Sequence, residues 1–568
     1  MSISNSITCI NTDFHNADQN GTVNGMVDYA GRPATRSQSG YWRSACYIIG
    51  AGASERFVYY GIASNLITYL TGPLGQPTST AAASINVWTG TGLMLPLLGA
   101  FVADSFLGRY RTIVLSSLLY ILALGLLTTS ALLNGSKIDS KSPSQLEVLF
   151  FYVSLYVMAL GQGTHKPCIL AFGADQFDDQ DPSELRGRGS FFNWWYFSIC
   201  AGPLAALLAL NYIQDNISWG LGFGIPCIFM AISLTIFMLG TKSYRYNVKI
   251  SEKCALLRVS HVFVKAAMNW KYIPSPSNYQ EEEEDMVPRL CSQQFKFLDK
   301  ALLVPSEEYE EIYSIREVEE AKALLNLIPL WATSLAFAIV LAQPTTLFTE
   351  QGITMDRTIT SNIDIPAASL QYVVGLTIIL LIPIYDRVFV PLARIITGIP
   401  SGITKLQRIG TGMVLSILCM VIAALVERKR LKIALVYGLI TDKPNDILPM
   451  RFWWLIPQYI LYGISEVFTL IGLQEVFYDQ VPCDLKSVGL SLYLSICGMG
   501  NFLSSFLICI IERLTSEDGK GGWFSDDTNR GHLDYFYWLL AGLNAIGFLA
   551  FLCIAKSFNC KSRVGSIV

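Results

Sequence analysis

Four ionisable side chains stand inside long apolar runs of the sequence, where a water-soluble protein has no need of them. Glu55 and Arg56 lie in the first such run, Lys166 in the fourth and Glu466 in the tenth. A charge at bilayer depth is costly, so it usually marks a binding site or an ion pathway. A carboxylate near a lysine can hold or release a proton as its surroundings change, which is the basis of proton coupling.

The spacing of these groups predicts that they lie at similar depths if the runs are helices. Glu55 and Glu466 each follow a tryptophan near the start of their run by thirteen residues, about 20 Å of helical rise. Lys166 precedes Asp175 by nine residues, roughly 14 Å. We therefore expect three ionisable groups from three helices to meet in one water-filled cavity.

Composition indicates the elements that must position these groups. Of the 568 residues, 52% are hydrophobic and 15% are charged, and the mean hydropathy is +0.41. A membrane-spanning helix needs about 20 apolar residues. Twelve runs reach that length, which predicts an all-α membrane protein: 42–70, 81–103, 111–133, 147–172, 190–213, 217–240, 319–344, 366–385, 403–426, 452–478, 486–512 and 533–556.

A long polar segment divides six runs from six and predicts two six-helix bundles. The expected domains are a disordered cytosolic tail over 1–40, a first bundle over 41–240, a cytosolic linker over 241–318, a second bundle over 319–556 and a cytosolic tail over 557–568. The first forty residues lack the apolar stretch of a signal peptide. Within the linker, 254–270 mixes apolar and basic residues at helical spacing, which is typical of a membrane-surface helix or a solvated linker helix.

Basic residues in the short loops favour a cytosolic location for both termini. The predicted outer loop 427–451 is an exception, because four of its first six residues are basic: Arg428, Lys429, Arg430 and Lys432. Two Asn-x-Ser sequons, at Asn134 and Asn216, fall on the outer side and are candidate glycosylation sites. The predicted outer loops contain none of the thirteen cysteines, so we expect these to be packing residues rather than disulfide partners.

Several motifs occur in an order that matches a known family. Asp104-Ser-Phe-Leu-Gly-Arg109 resembles the loop after the second helix of the major facilitator superfamily. Phe172-Gly-Ala-Asp-Gln-Phe-Asp178 resembles the signature that ends the fourth helix in the proton-dependent oligopeptide transporter family. Glu55-Arg-Phe-Val-Tyr-Tyr-Gly61 and Gly161-Gln-Gly-Thr-His-Lys-Pro167 are similar to that family as well. Gln458-Tyr459, shortly before Glu466, looks like its plant nitrate and peptide branch.

The resemblance covers residues 42–555 and implies a major facilitator fold with twelve transmembrane helices, working by alternating access. It implies proton coupling by Glu55, Arg56 and Lys166. The substrate-binding residues it implies are Arg56, Tyr59, Tyr60, Lys166 and Glu466. Structural or gating roles are expected for Asp104, Arg109 and Asp175 at helix ends. Thr112, in Arg-x-x-Thr, resembles a phosphorylation site of the plant branch or simply caps its helix.

The chain departs from the family pattern in its first helix. The common motif has a second acid where this chain has Gly52, so the titratable pair is reduced to Glu55 alone. Ala342 stands where many bacterial relatives have an acid before Gln343, and Ala63 replaces an arginine of many peptide transporters. We therefore expect weakened proton coupling and not ordinary peptide uptake.

These residues also have structural interpretations. Glu55 and Arg56 could form an ion pair that only links helices, and Lys166 could extend its ammonium to the membrane surface. His165 is interpreted as a packing histidine, and the aromatic residues 194–197 as helix packing.

The expected function is secondary transport of a small solute by alternating access, with nitrate as the substrate and with weakened proton coupling. The alternatives are a di- or tripeptide transporter, a plant hormone or specialised-metabolite transporter, and a membrane sensor that transports little. An enzyme is not expected, since the chain has four histidines and no paired metal-ligand spacing or nucleophile motif. The expected partners are a small-molecule substrate, the lipid bilayer and a regulatory kinase, without nucleic acid, metal or any cofactor except protons as coupling ion. The expected location is the plasma membrane or the vacuolar membrane.

Overall fold

The computed structural model describes residues 22–102, 107–135, 145–178, 180–247, 255–271, 295–302, 315–360, 363–398, 403–438, 447–481, 486–515, 522–525 and 529–564. Asp104, much of the linker and the acidic block within it lie outside the described residues.

Helices dominate the described chain, as the apolar runs predict. They are α1 Tyr41–Ala63, α2 Leu66–Thr71, α3 Thr78–Val102, α4 Arg109–Gly135, α5 Gln145–Ala174, α6 Pro182–Asn216, α7 Trp219–Leu239, α8 Ala255–Met268, α9 Ile315–Val340, α10 Leu347–Ile353, α11 Tyr372–Ile384, α12 Val390–Thr397, α13 Lys405–Val436, α14 Ile456–Asp479, α15 Lys486–Thr515 and α16 Leu533–Val564. The strands are β1 Thr22–Val27, β2 Pro33–Thr35, β3 Tyr246–Asn247, β4 Met355–Asp356, β5 Thr358–Thr360, β6 Ile363–Asp364 and β7 Leu448–Arg451.

Ten helical segments in the described part of the chain are long and apolar enough to cross a membrane. They include α4 to α7, α9 and α13 to α16. The helices α1 and α3 occupy two of the twelve predicted runs but are not among the ten. In α1 the ionisable Arg43, Glu55 and Arg56 lower the hydropathy. The expected all-α membrane architecture is therefore observed, whereas the number twelve stays a prediction.

The first compact unit comprises the described residues within Met1–Gln76, Leu98–Glu252 and Thr358–Gly375. In it α1 packs against α5, α6 and α7, and α4 packs against α5 and α7. Its core includes fully buried side chains such as Ile48, Phe191 and Phe237. This packing holds α1 and α5, the helices of Glu55 and Lys166, side by side.

The second compact unit comprises the described residues within Pro77–Leu97, Lys253–Arg357 and Leu376–Val568. In it α13 packs against α14 and α16, and α15 packs against α9 and α14. The units differ from the predicted bundles, because Pro77–Leu97 belongs to the second unit and Thr358–Gly375 to the first. One contact behind the assignment of Pro77–Leu97 to the second unit is the hydrogen bond from Asn86 Nδ2 of α3 to Ser504 Oγ of α15, 3.1 Å.

A small sheet precedes the first helix, in a region predicted to be disordered. Strand β1 pairs with β2 and with β3, which follows α7, both antiparallel. Arg245, next to β3, is fully buried and donates to the backbone oxygen of Ser39 at 2.8 Å. Residues 22–40 are therefore ordered by pairing with a distant segment, which local composition does not reveal.

The linker helix α8 lies where the sequence predicts a helix, but its partner is protein. Val259, Val262 and Ala266 are buried in a core shared with Leu298 and with Val318 at the start of α9. Because its apolar face is buried against protein, α8 is neither a wholly solvated linker helix nor a helix that turns this face to lipid.

Helix α13 continues ten residues beyond the predicted end of its run at 426. Arg430 is fully buried and pairs with Glu427 at 2.6 Å, three residues earlier on the same helix. The ammonium of Lys429 lies 3.2 Å from the ring centroid of Trp454. The basic residues that break the loop-charge pattern thus lie on a helix, and two of the four, Lys429 and Arg430, contact protein partners.

Candidate functional site

Helix α1 carries four of the predicted site residues on two adjacent faces. Glu55 and Tyr59 are four residues apart, as are Arg56 and Tyr60, so each pair shares one side of the helix. Gly202 of α6 permits the close approach of α1, since a Cβ there would lie 2.7 Å from the backbone oxygen of Ala53. The tight α1–α6 contact fixes where these side chains point.

Glu55 is almost completely buried, with 2% of its surface exposed. Its carboxylate lies 3.4 Å from Nε of Arg56. The hydroxyl of Tyr120 on α4 donates to the other carboxylate oxygen at 3.5 Å, a long hydrogen bond. Glu55 is therefore held by a neighbouring charge and by weak contacts, an arrangement that leaves it able to change partners.

Lys166 on α5 is half-buried and faces an aromatic ring. Its ammonium lies 4.5 Å from the ring centroid of Tyr59, a cation–π contact. Tyr59 in turn packs edge to face on Tyr60, with ring centroids 5.2 Å apart. Among the described residues Lys166 makes no ion pair, so the ring of Tyr59 is the contact that the structure gives its ammonium.

These residues define the cationic cluster: Glu55, Arg56, Tyr59, Tyr60 and Lys166. It contains two cations and one carboxylate, so it carries an excess positive charge. The structure thus brings together the first-helix residues and Lys166. Glu466 belongs to the second unit, so the predicted meeting of all three groups in one cavity stays a prediction.

The missing acid at Gly52 has a steric counterpart. Gly52 is buried, and a Cβ there would contact the distal ring carbons of Trp195, at 2.5 Å from Cζ3. Trp195 is 7% exposed and packs on Phe191 with ring centroids 6.1 Å apart. The indole of α6 therefore occupies the space that a larger residue at position 52 would need.

The predicted helix-end residues are partly brought together. Arg109 Nη1 lies 2.5 Å from a carboxylate oxygen of Asp175, which joins the start of α4 to the end of α5. Asp104 lies outside the described residues. Thr112 is 3% exposed and donates its hydroxyl to the backbone oxygen of Gly108 at 3.0 Å. In this conformation a kinase cannot reach that hydroxyl.

Sequence reasoning missed a second set of contacts at the same helix ends. The Gln176 side-chain amide donates to the backbone oxygen of Arg245 at 3.1 Å, and its oxygen accepts from the Arg245 backbone N–H at 2.9 Å. The Arg245 guanidinium binds both carboxylate oxygens of Glu184, at 2.6 and 3.0 Å. Arg36 hydrogen-bonds Asp178, which raises the pKa of its guanidinium. The charged residues at the ends of the motifs indicated that ion pairs could form there. The sequence did not show their partners, because these lie far away along the chain.

Glu466 is half-buried on α14 and has no hydrogen bond or ion pair to another described residue. Helix α15, which packs beside α14, carries further polar side chains, and Trp331 Nε1 of α9 donates to Ser495 Oγ of α15 at 2.8 Å. The second unit therefore offers a carboxylate that can take a cationic partner.

The remaining predicted residues lie away from the cluster. Asn216 is exposed at the end of α6, and its amide donates to the backbone oxygen of Tyr212 at 3.2 Å. Asn134 lies in the last turn of α4, and Ser136 of its sequon is outside the described residues. No group of three or more His, Cys, Asp or Glu suited to a metal ion occurs in the described part of the chain. All seven cysteines whose side chains are described are free.

Comparison of folds defines the class of protein. The structure matches an auto-inhibited POT family peptide transporter with a TM-score of 0.67 and 22% identity, covering 90% of this chain and 97% of that one. It matches a POT family transporter in complex with 5-aminolevulinic acid with a TM-score of 0.61 and 16% identity, covering 91% and 97%. The chain is thus a multi-pass membrane protein with the major facilitator fold, as expected.

Comparison of sequences adds the family. Residues 110–524 match the model of the POT family. The chain is 54% identical over 539 residues to Protein NRT1/PTR FAMILY 5.10 of Arabidopsis thaliana, covering 94% of this chain and 96% of the relative. It is also 54% identical over 542 residues to Protein NRT1/PTR FAMILY 5.14 of the same plant, with the same coverage. The protein belongs to the POT family, whose members are transporters and not enzymes, so the resemblance read from the motifs is confirmed.

Proposed function

We propose that this transporter moves nitrate together with protons by alternating access. The observation that carries the proposal is Lys166, whose half-buried ammonium has no carboxylate partner among the described residues. A cation away from bulk water needs a counter-charge. A small mobile anion supplies it, and release of that anion restores the empty cluster.

The other members of the cationic cluster suit a small oxyanion. Arg56 keeps 23% of its side chain exposed, so part of the guanidinium remains accessible. Guanidinium groups bind planar oxyanions through two parallel N–H donors. Nitrate is planar and carries a single charge, which matches the single excess positive charge of the cluster.

Protons act in this proposal through Glu55, and no other cofactor is proposed. Protonation of Glu55 removes the charge that holds Arg56 at 3.4 Å. The guanidinium is then released to bind the anion beside Lys166. Proton and nitrate binding therefore favour each other, which is the thermodynamic requirement for coupled movement.

Nitrate uptake into oocytes at acidic and neutral outside pH tests this proposal. Lys166→Ala should abolish uptake at both values, because the counter-charge for the anion is gone. Lys242→Ala, which removes an exposed lysine in the turn that follows α7, is the matched control and should transport normally. Normal nitrate uptake by Lys166→Ala at wild-type surface abundance would refute the proposed binding role.

A zwitterionic solute is the second candidate, and Glu466 favours it. A carboxylate without a described partner can bind the ammonium of a di- or tripeptide or of a specialised metabolite. Glu466→Gln should then reduce transport of the zwitterion and leave nitrate transport unchanged. A substrate panel with both variants decides between the two solutes, and absence of flux for every solute would favour a sensor.

The proposal also concerns the membrane in which the transporter lies and its regulation by phosphorylation. Plasma membrane and vacuolar membrane are both compatible with it, and a fluorescent fusion viewed in plant cells separates them. Regulation by a kinase at Thr112 would require the start of α4 to open, since its hydroxyl is buried.

A further inference from the structure

The linker helix α8 has a second apolar face, opposite to the face that packs on protein. Val259, Val262 and Ala266 are buried in the protein core. Val264 follows Val262 by two residues, about 200° around the helix, and Met268 lies four residues further on the same side. Both Val264 and Met268 are more than half exposed. Large apolar side chains grouped on an exposed surface indicate an interaction site.

The turn that follows α8 adds an exposed tryptophan. Trp270 lies in the 3₁₀ turn Asn269–Lys271 and is 66% exposed. Its backbone oxygen accepts from Lys300 Nζ at 2.6 Å, and buried Asn269 donates its amide to the backbone oxygen of Lys300 at 2.8 Å. The Lys300 ammonium lies 5.5 Å from the ring centroid of Trp270. These contacts hold an exposed indole beside a cation. Val264, Met268, Trp270 and Lys300 are called the linker face below.

The surroundings of the linker face are basic. Residues 255–271 contain three Lys or Arg residues and no Asp or Glu. The neighbouring 3₁₀ turn Lys296–Leu302 contains two lysines and one acid, Asp299, whose carboxylate lies 2.6 Å from the ammonium of buried Lys322. Apolar side chains, a tryptophan and an excess of cations are the composition of a segment that binds the membrane interface.

The packing of α8 places it where a membrane span begins. Its buried residues share a core with Val318 and Ala321. Both lie in the first two turns of the apolar segment Glu317–Val340, which is long enough to cross a membrane. A helix that packs beside the first turns of a span lies near the level of the lipid headgroups. The linker face is therefore within reach of a lipid surface.

We propose that the linker face binds acidic phospholipid headgroups, which fixes α8 between the protein core on one side and the membrane surface on the other. Val264, Met268 and Trp270 enter the interface, and Lys300 pairs with a headgroup phosphate. The acidic block 281–285 of this chain matches the charge, but five carboxylates cannot cover the apolar side chains. The inference is independent of the proposed substrate, since no residue of the cationic cluster takes part.

Backbone amide hydrogen exchange of the full-length protein in nanodiscs tests the proposal. Nanodiscs of phosphatidylcholine alone are compared with nanodiscs that contain phosphatidylcholine and phosphatidylserine. Exchange across residues 255–271 should be slower in the acidic nanodiscs, because bound lipid opposes local opening of the helix. High salt should remove this difference, since it screens the attraction between lysine and headgroup.

Two variants separate the apolar and the charged contribution. Met268→Ser removes an apolar contact and should reduce the slowing of exchange by acidic lipid. Lys300→Gln removes the cation but keeps a donor for the Trp270 backbone oxygen, and it should reduce the slowing about fivefold. Lys242→Gln, which removes an exposed lysine of the first unit, is the matched control and should keep the full lipid effect.

Equal exchange of wild-type residues 255–271 in the two kinds of nanodisc would overturn the proposal. So would a full lipid effect in both variants at wild-type melting temperature. If Lys300→Gln does not fold, Met268→Ser decides, because it changes an exposed side chain on the surface of α8. Equal exchange in both lipids that becomes faster when the acids of 281–285 are changed to Gln would assign the linker face to that segment instead.

Discussion

At the scale of single residues, the ring of Tyr59 lies under the ammonium of Lys166, and the hydroxyl of Tyr120 reaches the carboxylate of Glu55. Intramembrane charge singled out Glu55 and Lys166, and the structure places both in the cationic cluster. Spacing along a helix gives depth but not the direction of a neighbouring helix face. For this reason the ring of Tyr59 under Lys166 and the hydroxyl of Tyr120 at Glu55 were not foreseen.

The surroundings of Gly52 could not be derived from helical spacing either, and they give a testable prediction. Gly52→Ala should destabilise the protein by about 1–3 kcal/mol, because the added methyl group contacts the rigid indole of Trp195. The melting temperature in detergent measures this loss. Gly50→Ala, two residues away on the same helix, meets nothing within 4 Å and should be neutral or slightly stabilising. Equal melting temperatures for the two variants would show that Trp195 does not fill the site.

The position of Trp195 also determines how the role of the missing acid at position 52 must be tested. Gly52→Glu alone introduces a clash along with a carboxylate. It should alter pH dependence only when Trp195 is replaced by a smaller residue in the same protein. An altered pH profile in the single variant, at wild-type melting temperature, would contradict this steric account.

At the scale of elements, charge was a misleading sign of where a helix ends. Hydropathy falls after residue 426, yet α13 continues to Val436. Arg430 also donates to Thr354 and Asn529, each at 2.9 Å, and Glu427 accepts from Gln351 at 2.7 Å. These partners lie far away in sequence, so a reading of local hydropathy could not show that the charges are buried.

The buried pair in α13 should be important for stability. Arg430→Gln leaves the Glu427 carboxylate buried without its cation, which should cost about 3–5 kcal/mol. The melting temperature should fall by several degrees. Arg428→Gln removes the same charge from an exposed position two residues earlier and should change it little. If the two variants have the same melting temperature, the network around Arg430 does not stabilise the end of α13.

At the scale of the whole molecule, the rhythm of apolar runs predicted the all-α membrane class, and the motifs predicted the family. The succession of apolar runs does not show how the helices divide into compact units, which depends on tertiary contacts. The α3 residue Asn86 bonds Ser504, and Gln371 donates to the backbone oxygen of Ser64 at 2.9 Å. Such contacts between distant segments assign Pro77–Leu97 and Thr358–Gly375 to units that differ from the predicted bundles.

The central claim is that this POT family member transports nitrate at the cluster around Lys166. Its most direct test is the initial rate of labelled nitrate uptake into proteoliposomes containing purified wild-type or Lys166→Ala protein. We expect saturable wild-type uptake that an inward proton gradient accelerates, and uptake by Lys166→Ala no greater than that of protein-free vesicles. Wild-type uptake equal to that of protein-free vesicles, or full uptake by Lys166→Ala, would contradict it.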